Sequence, residues 1–351
     1  MKIQFLIPIA LGLLGLTSYA HDFSVTLNGQ RLYFNILDNE KKTAFVTYGD
    51  NFSDTDKNRV KGEITIPDKI KYNDLVYTVT GIGQKAFANA KELKEITIPA
   101  TISRIEDFAF ENCDSLRIIN FPENPVRFGE GVFFNCNQIE KVSIGKNWTE
   151  INFTMFRWSK NLKSVFIPEN LKKIRGLKML KYLKYIEVDS SNNSYDSYKG
   201  MLYSKNGKIL YACPRAYEDT LWFRKGTEKV LEGALIDCRL ITTLILPSTL
   251  QNISFRETSE MKDLKEIIIH KEQPLITGYL DETGYFFFQL ANPKVMIFVP
   301  QKSKKDYIKI LAKEAGEYKE TIDGVPYRVT TIELPLKKNI KGVKNFKNFY
   351  L

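Results

Sequence analysis

Two histidines, His21 and His270, carry the broadest catalytic and metal-binding chemistry in this chain. They are too few for a metal site built from a histidine cluster. A Ser-His-Asp arrangement would have to use one of them, and no nucleophile-elbow motif accompanies either. If His21 became the first residue of a processed chain, its amine and ring could chelate copper. Copper oxygenase chemistry would need a second histidine nearby, and His270 is expected to lie far away.

The acidic residues give no clearer sign of catalysis. A glycoside hydrolase needs two carboxyl groups that face each other across the substrate. The 41 Asp and Glu residues are not concentrated in any one place. The sequence therefore predicts that the chain is not an enzyme and that it has no catalytic residues, cofactor or metal.

An internal repeat of about 23 residues organises the chain. With Phe87 as position zero, a small residue follows at +3, apolar residues follow at +6, +9 and +11, and proline follows at +12. The same offsets recur with few exceptions from four further starting residues, and degraded copies surround Leu183 and Leu264. Seven repeats are therefore predicted between residues 81 and 270. The four further starting residues are Phe110, Phe133, Phe156 and Leu235.

Each repeat has the pattern of one coil of a solenoid. The apolar, exposed, apolar alternation at +9 to +11 predicts a half-buried strand, and the proline ends it because proline cannot donate to a ladder. The Ala-Phe pair that precedes the strand suits a tight helical turn packed inside the coil. A single repeat cannot bury its apolar face, so successive coils must stack. Their strands are then expected to pair in parallel, about 4.8 Å apart.

Three of the four cysteines occupy the +3 position of the repeat. They are Cys113, Cys136 and Cys238, and the same position holds Ala90 and Ser159 in other copies. Because all these side chains are small, the position predicts buried free thiols that pack as small apolar groups. Cys113 and Cys136 would lie in adjacent coils, so a disulfide between them is the geometric alternative in an oxidising compartment.

The pattern Ile-Gly-x-x-Ala-Phe-x-x-(small)-x-x-Leu-x-x-Ile-x-Ile-Pro resembles the BspA-like leucine-rich-repeat family of bacterial cell-surface proteins. The resemblance covers most of residues 61–325. It includes a lead-in at 62–67 and 77–83, a hairpin insert that starts at Gly200, and a closing segment at 299–307. It implies a leucine-rich-repeat solenoid that is mostly β with short helical turns. Parallel strands would be stacked coil on coil between a β-rich N-terminal cap and a small α/β C-terminal cap.

The same resemblance implies surface display, adhesion and protein binding, in some members to extracellular-matrix proteins, and it implies no shared catalytic set. The chain departs from the family in its fifth repeat, where Gly176–Leu180 replaces the Ala-Phe turn, and in the basic segment after Glu333. The favoured function is an exported or cell-surface binding scaffold. The alternatives are a glycan-binding accessory protein of the cell envelope and a structural envelope protein without a dedicated ligand.

The order of these patterns predicts the segments of the chain. Residues 1–20 combine Lys2, an apolar run and small residues before a cut after Ala20, as a secretory signal peptide does. An uncleaved N-terminal anchor is the alternative. The remaining segments are an N-terminal β cap at 21–80, a repeat array at 81–272 with a hairpin insert at 195–215, a C-terminal cap at 273–325 and a basic tail at 326–351.

Turn signals and apolar patterns add detail to the caps and the insert. Asn28-Gly29 predicts a hairpin in the N-terminal cap, and Asn206-Gly207 predicts a second hairpin that projects between repeats. Residues 50–57 are polar and predict a loop. Residues 303–315 predict a short amphipathic helix that closes the far end of the array.

The net charge of +10 bears on the partner. An exported protein rarely meets nucleic acid, so a basic face favours an anionic surface, a glycan or a polypeptide. The plain alternative is a charged surface that only keeps the protein in solution. No stretch after the apolar run is long enough to span a membrane. We expect a monomer that is exported to the cell surface, kept in the periplasm or released.

The outward side of the stacked strands is the candidate ligand face. Position +7 is largely basic, and stacking would align these side chains as a ridge beside two aromatic residues. Exposed aromatic side chains on a rigid sheet are typical binding anchors, and a surface without a ligand is the alternative. Ile245 and Ile268 at +10 are expected to be exposed, whereas Trp158 is expected to be packed in its turn. The candidate residues are Lys94, Arg117, Ile118, Lys163, Phe166, Lys184 and Tyr185.

Overall fold

The structure is a computed structural model, and it describes most of the chain between His21 and Val343. The predicted signal peptide (1–20) and the predicted polar loop (50–57) lie outside the described residues, as does most of the predicted C-terminal cap and tail. The described residues are 21–49, 60–251, 253, 258, 260–273, 294–311, 319–322, 325–328 and 339–343.

The N-terminal part is a sheet that leads into the first coil. Asn28 and Gly29 have φ values of 49° and 75°. A type I′ hairpin turn requires positive φ at both central residues, so the first predicted hairpin is confirmed. The strands β1, β2 and β3 pair in sequence, and β3 then pairs in parallel with β6. The strands are β1 (Phe23–Leu27), β2 (Gln30–Asp38), β3 (Thr43–Thr47), β4 (Gly62–Thr65), β5 (Lys69–Tyr72) and β6 (Leu75–Ile82).

The predicted repeat strands form parallel ladders. The buried +9 residues of neighbouring coils pair directly, as Ile96 with Ile119 and Ile119 with Val142, so the predicted strand positions are confirmed. The ladder β4-β7-β9-β11 begins before residue 81, because β4 pairs in parallel with β7. The strands of this row are β7 (Leu93–Thr97), β9 (Ile118–Asn120), β11 (Lys141–Ser143), β13 (Ser164–Ile167) and β15 (Tyr185–Val188).

A second row of short strands runs along another side of the coils. The first two of these strands continue in parallel from the end of β6, and the last two form a separate parallel pair. The turns between the two rows are mostly single turns, and two of them are 3-10 helices, at Phe153–Phe156 and Leu177–Met179. The second helix occupies the divergent fifth repeat. The strands of this row are β8 (Arg104–Ile105), β10 (Arg127–Phe128), β12 (Glu150–Asn152) and β14 (Lys173–Arg175).

A stack of phenylalanine rings runs through the first four coils. The position-zero rings are buried and nearly parallel. Phe87 and Phe110 are 5.1 Å apart, Phe110 and Phe133 are 5.1 Å apart, and Phe133 and Phe156 are 5.2 Å apart. Because each ring rests on the ring of the next coil, this position makes a continuous core from coil to coil.

Asparagines at position +2 form a second ladder, which the sequence pattern did not predict. Asn89, Asn112 and Asn135 all have positive φ, a conformation that asparagine tolerates better than most residues. The side-chain amide of Asn112 donates to the side-chain oxygen of Asn89 at 3.0 Å, and that of Asn135 donates to the side-chain oxygen of Asn112 at 2.8 Å. The signal was present in the sequence as asparagine at one offset in three successive copies.

All four cysteines are buried and free, so the packing prediction is confirmed and no Cys113–Cys136 disulfide is present. The Cys113 thiol donates to the Phe87 carbonyl at 3.2 Å, and the Cys136 thiol donates to the Phe110 carbonyl at 2.9 Å. Each thiol therefore satisfies a carbonyl of the preceding coil. Burial raises the pKa of Cys113 and of Cys213 well above the ordinary range.

We expect all four thiols to be unreactive in the folded protein. The native chain should show no rapid reaction with a chromogenic thiol reagent, because the sulfurs are shielded and protonated. The chain in concentrated guanidinium chloride should react at all four. Only two reactive thiols after denaturation without reductant would contradict this result and would indicate one disulfide, either Cys113–Cys136 or Cys213–Cys238.

The strands Met201–Ser204 and Ile209–Ala212 pair antiparallel, which confirms the second predicted hairpin. Its expected projection is wrong, because the central strand of the insert is buried. Every residue of the central strand β17 is buried. Because successive side chains of a strand point to opposite faces, Leu202 packs into the core of the first coils, while Met201 and Tyr203 pack into the core of the later ones. The insert thus joins two cores. Its strands are β16 (Tyr195–Tyr198), β17 (Met201–Ser204) and β18 (Ile209–Ala212).

The later coils form the ladder β19-β21-β22-β23-β26. It includes a coil strand, β19, that the repeat alignment did not contain, and it continues past residue 272. The helix α1 (Lys304–Leu311) follows a 3-10 turn, and the buried Tyr307 of this helix donates its hydroxyl to the Lys271 carbonyl at 2.9 Å. The strands are β19 (Asp219–Trp222), β20 (Lys229–Val230), β21 (Ile241–Leu246), β22 (Glu266–Ile269), β23 (Met296–Pro300), β24 (Lys319–Ile322), β25 (Val325–Arg328) and β26 (Ile340–Val343).

Candidate ligand-binding face

The four basic candidates at position +7 are exposed at the entry of their strands. The Arg117 amide donates to the Lys94 carbonyl at 2.8 Å, and the Lys184 amide donates to the Lys163 carbonyl at 2.8 Å. The two pairs therefore lie on neighbouring coils. Exposed Glu140 stands between them and donates its amide to the Arg117 carbonyl. The ridge consists of two basic segments with an acid in the middle.

The two cations of the second segment have different surroundings. The Lys184 ammonium pairs with Glu218 at 2.5 Å, and both side chains are half exposed. The Lys163 ammonium donates to the Lys160 carbonyl at 2.6 Å and lies 5.0 Å from the centre of the Tyr182 ring. A ligand would meet Lys184 already paired with an acid, whereas Lys163 makes no ion pair with any described carboxylate.

Ile118 is half-buried, which is less exposed than its predicted place on the outward side of the strands implies. In the ladder it lies between Glu95 of the preceding coil and Lys141 of the next. These long neighbouring side chains flank it at the spacing of paired strands, about 4.8 Å. Ile118 therefore offers only part of its surface to a ligand.

Phe166 and Tyr185 are exposed on the outward face, at 43% and 47% of their surface. They lie on the paired strands β13 and β15, where Ser164 is opposite Tyr185. The Tyr185 ring rests on the insert, because a Cβ placed on Gly200 would lie 2.6 Å from its Cδ2 atom. Gly200 also has a φ of 79°. A glycine at this position lets the insert support one of the two exposed rings.

The outward-facing isoleucines of the later coils are buried, so the expected exposure of Ile245 and Ile268 is wrong. Their exposed fractions are 8% and 2%. In register, Ile245 lies between Trp222 and Ile268, and Ile268 lies between Ile245 and Phe298. Large apolar side chains on both sides remove both isoleucines from water. The aromatic candidates on the open face are consequently those of β13 and β15.

The turn side of the coils carries exposed aromatic rings, and the expected packing of Trp158 is wrong. Trp158 is 44% exposed and Phe134 is 39% exposed. Their ring centres are 6.2 Å apart in an edge-to-face arrangement, and Phe134 makes a similar contact with Phe108. The Arg157 guanidinium lies 5.0 Å from the Trp158 ring centre. Trp158 does not occupy one of the buried positions of the repeat, because it falls at +2, where earlier coils have asparagine.

The described residues contain no group of three or more His, Cys, Asp or Glu side chains that could hold a metal ion. His21 precedes β1 and makes an edge-to-face contact with Tyr33, at 4.6 Å between ring centres. His270 follows β22 in a different sheet, and burial lowers its pKa. Within the described part of the chain, no helix is long and apolar enough to cross a membrane.

Comparison with known proteins identifies the repeat. Residues 64–198 match the model of the BspA type leucine rich repeat region, with 6 copies. No curated protein matches the sequence. A leucine-rich repeat protein from Bacteroides ovatus is 22% identical with a TM-score of 0.50, over 79% of this chain and 71% of that chain. This likeness shows a leucine-rich-repeat-type fold, with mostly strands, parallel sheets and few helices.

Two further solved structures are similar at lower scores. The pneumococcal vaccine antigen PcpA is 18% identical with a TM-score of 0.45, over 83% of this chain and 96% of that chain. A leucine rich cell surface protein from Faecalibacterium prausnitzii is 19% identical with a TM-score of 0.40, over 80% of this chain and 90% of that chain.

Proposed function

We propose that this chain is an exported cell-surface scaffold that binds another protein, because residues 64–198 match the BspA type leucine rich repeat region. It acts as a monomer without catalytic activity, cofactor or metal. Its partner is an extracellular protein, with host extracellular-matrix proteins as the first class to test. The signal-like pattern of residues 1–20 supports export.

The observation that carries this proposal is the pair of exposed rings on β13 and β15. Phe166 and Tyr185 stand on a paired, parallel sheet, and Lys163 and Lys184 lie at the entry of the same strands. Aromatic side chains held on a rigid surface provide large contact area at low entropic cost. The alternate residues of both strands are buried, which keeps the surface preformed.

The test is binding of the mature chain to a panel of extracellular-matrix proteins, with Phe166→Ala/Tyr185→Ala as the variant. We expect at least a tenfold loss of affinity for the bound protein, since two anchors are removed and every cation remains. Phe134→Ala is the matched control, because this ring is similarly exposed on the turn side. Unchanged binding by the double variant, or equal loss in the control, would show that the strand face is not the binding site.

A further inference from the structure

Two neighbouring coils carry the same three basic positions. Counting from Phe156, positions +1, +4 and +7 are Arg157, Lys160 and Lys163. Counting from Leu177, which places Leu183 at +6, the same positions are Lys178, Lys181 and Lys184. All six side chains are exposed, and residues 157–184 contain only one acid, Glu169. We call these six residues the basic block.

The two halves of the block lie side by side. The Lys184 amide donates to the Lys163 carbonyl, which joins the two +7 positions. At the other end, a Cβ on Gly176 would lie 2.6 Å from the Thr154 amide nitrogen, so the two 3-10 helices are in contact. The +7 cations of the two coils are therefore separated at their backbones by about one strand spacing, about 4.8 Å, and the +1 and +4 cations lie on the turns that precede them.

Most of this charge is not neutralised within the protein. Among the described residues, Lys184 alone in the block pairs with a carboxylate, that of Glu218. Five exposed cations on two adjacent coils produce a strong local positive potential, which attracts anions and is costly without them. The block therefore has the electrostatics of an anion-binding surface.

The coil that precedes the block carries no basic residue at the same positions. Counting from Phe133, positions +1, +4 and +7 are Phe134, Asn137 and Glu140. The positive charge at these positions therefore stops at the N-terminal edge of the block, and Glu140 disfavours an anion there.

Aromatic rings hold several of these cations in place. Arg157 lies over Trp158, while Lys163 and Lys181 lie over the ring of Tyr182, at 5.0 and 5.7 Å from its centre. Cation–π contacts of this kind orient the charged groups. They also cover ring faces that an apolar peptide or a neutral sugar would need for stacking. The arrangement favours a ligand recognised by charge.

We propose that the basic block binds an acidic polysaccharide, a chain whose sugar rings carry carboxylate or sulfate groups. A pyranose ring is about as long as the coil spacing of about 4.8 Å, so anionic groups on successive rings can meet successive coils. In an extended acidic polypeptide, side chains on one face recur only about every 6.6–6.8 Å. This site goes beyond the proposed protein-binding function and does not depend on it, although Lys163 and Lys184 border both surfaces.

The test compares binding of the mature chain to dextran sulfate, carboxymethyl dextran, uncharged dextran and polyglutamate. Lys160→Gln/Lys178→Gln/Lys181→Gln removes three charges that lie outside the strand face. Lys69→Gln/Lys229→Gln/Lys262→Gln removes three exposed lysines elsewhere and is the matched control. We expect one or both charged dextrans to bind the wild type with an affinity that falls as salt rises. The block variant should bind at least tenfold more weakly, and the control should stay within twofold.

A charge-preserving variant keeps the result interpretable. Lys160→Arg/Lys178→Arg/Lys181→Arg should bind as the wild type does. The glutamine variant should unfold at the same or a higher temperature, because it relieves repulsion between like charges. Equal losses in the block and control variants, equal binding of uncharged dextran, or loss in the arginine variant would overturn the site. Polyglutamate binding as tight as that of the charged dextrans would overturn the assignment to a polysaccharide.

Discussion

Replacing Phe110 by alanine is expected to lower the free energy of unfolding by about 3–5 kcal/mol. Phe110 is fully buried between the rings of Phe87 and Phe133. The substitution removes the ring and leaves a cavity whose walls belong to two other coils, and those coils are held by their own strand ladders. The surroundings therefore cannot collapse to fill it. Guanidinium unfolding should show a lower midpoint with an unchanged slope.

The matched control is Phe134→Ala, in the next coil. It removes the same ring from a position that is 39% exposed, so we expect a loss below about 1 kcal/mol, as for surface substitutions. A loss for Phe110→Ala as small as that of the control would show that the phenylalanine stack does not carry the core.

Replacing Gly145 is expected to destabilise the protein by about 1–3 kcal/mol, although the repeat pattern suggests the opposite. Gly145 stands at position +12, where the other well-preserved copies have proline, so Gly145→Pro is the substitution that the pattern recommends. In the structure, an added Cβ would contact the Pro122 carbonyl oxygen and would lie 2.7 Å from the Glu123 Cα atom. Both are backbone atoms, which cannot rotate away as a side chain would.

The crowding at Gly145 has a cause in the next residues. The indole of the buried Trp148 donates to the Pro122 carbonyl at 3.0 Å, and the Trp148 amide donates to the Gly145 carbonyl at 3.2 Å. Glycine leaves room for this arrangement. Gly145→Ala and Gly145→Pro should both lower the unfolding midpoint, while Lys146→Ala, an exposed neighbour, should change stability by less than about 0.5 kcal/mol. A neutral or stabilising Gly145→Pro would contradict the expected clash.

The sequence was sufficient for the features that every coil must repeat. The strand positions could be predicted because a stacked coil presents the same side chain to each neighbour, which forces apolar residues such as Ile96 and Ile119 to recur at one offset. The small +3 position followed from the same argument, since a coil interior has room for Cys113 or Ala90 but not for a larger side chain. The asparagine ladder was also present in the sequence as a repeated residue type.

Exposure on the strand face could not be derived from one coil. Ile245 and Phe166 occupy the same repeat position, yet the first is buried and the second exposed. The difference arises from the neighbouring strands, which bring Trp222 and Ile268 beside Ile245. Alternation along a strand states which side a residue faces. It does not state how large the flanking side chains of other coils are.

What the sequence determined by itself is the repeat: its length, the strand register and the buried positions, because these follow from periodic burial within each coil. What only the tertiary structure decided is the arrangement between coils. It turned the expected projecting hairpin into a strand buried between two cores, and it brought Lys163 and Lys184, distant in the chain, together on neighbouring coils. The physical reason is that the local charge and the packing around a side chain depend on the side chains of neighbouring coils, which a single repeat does not contain.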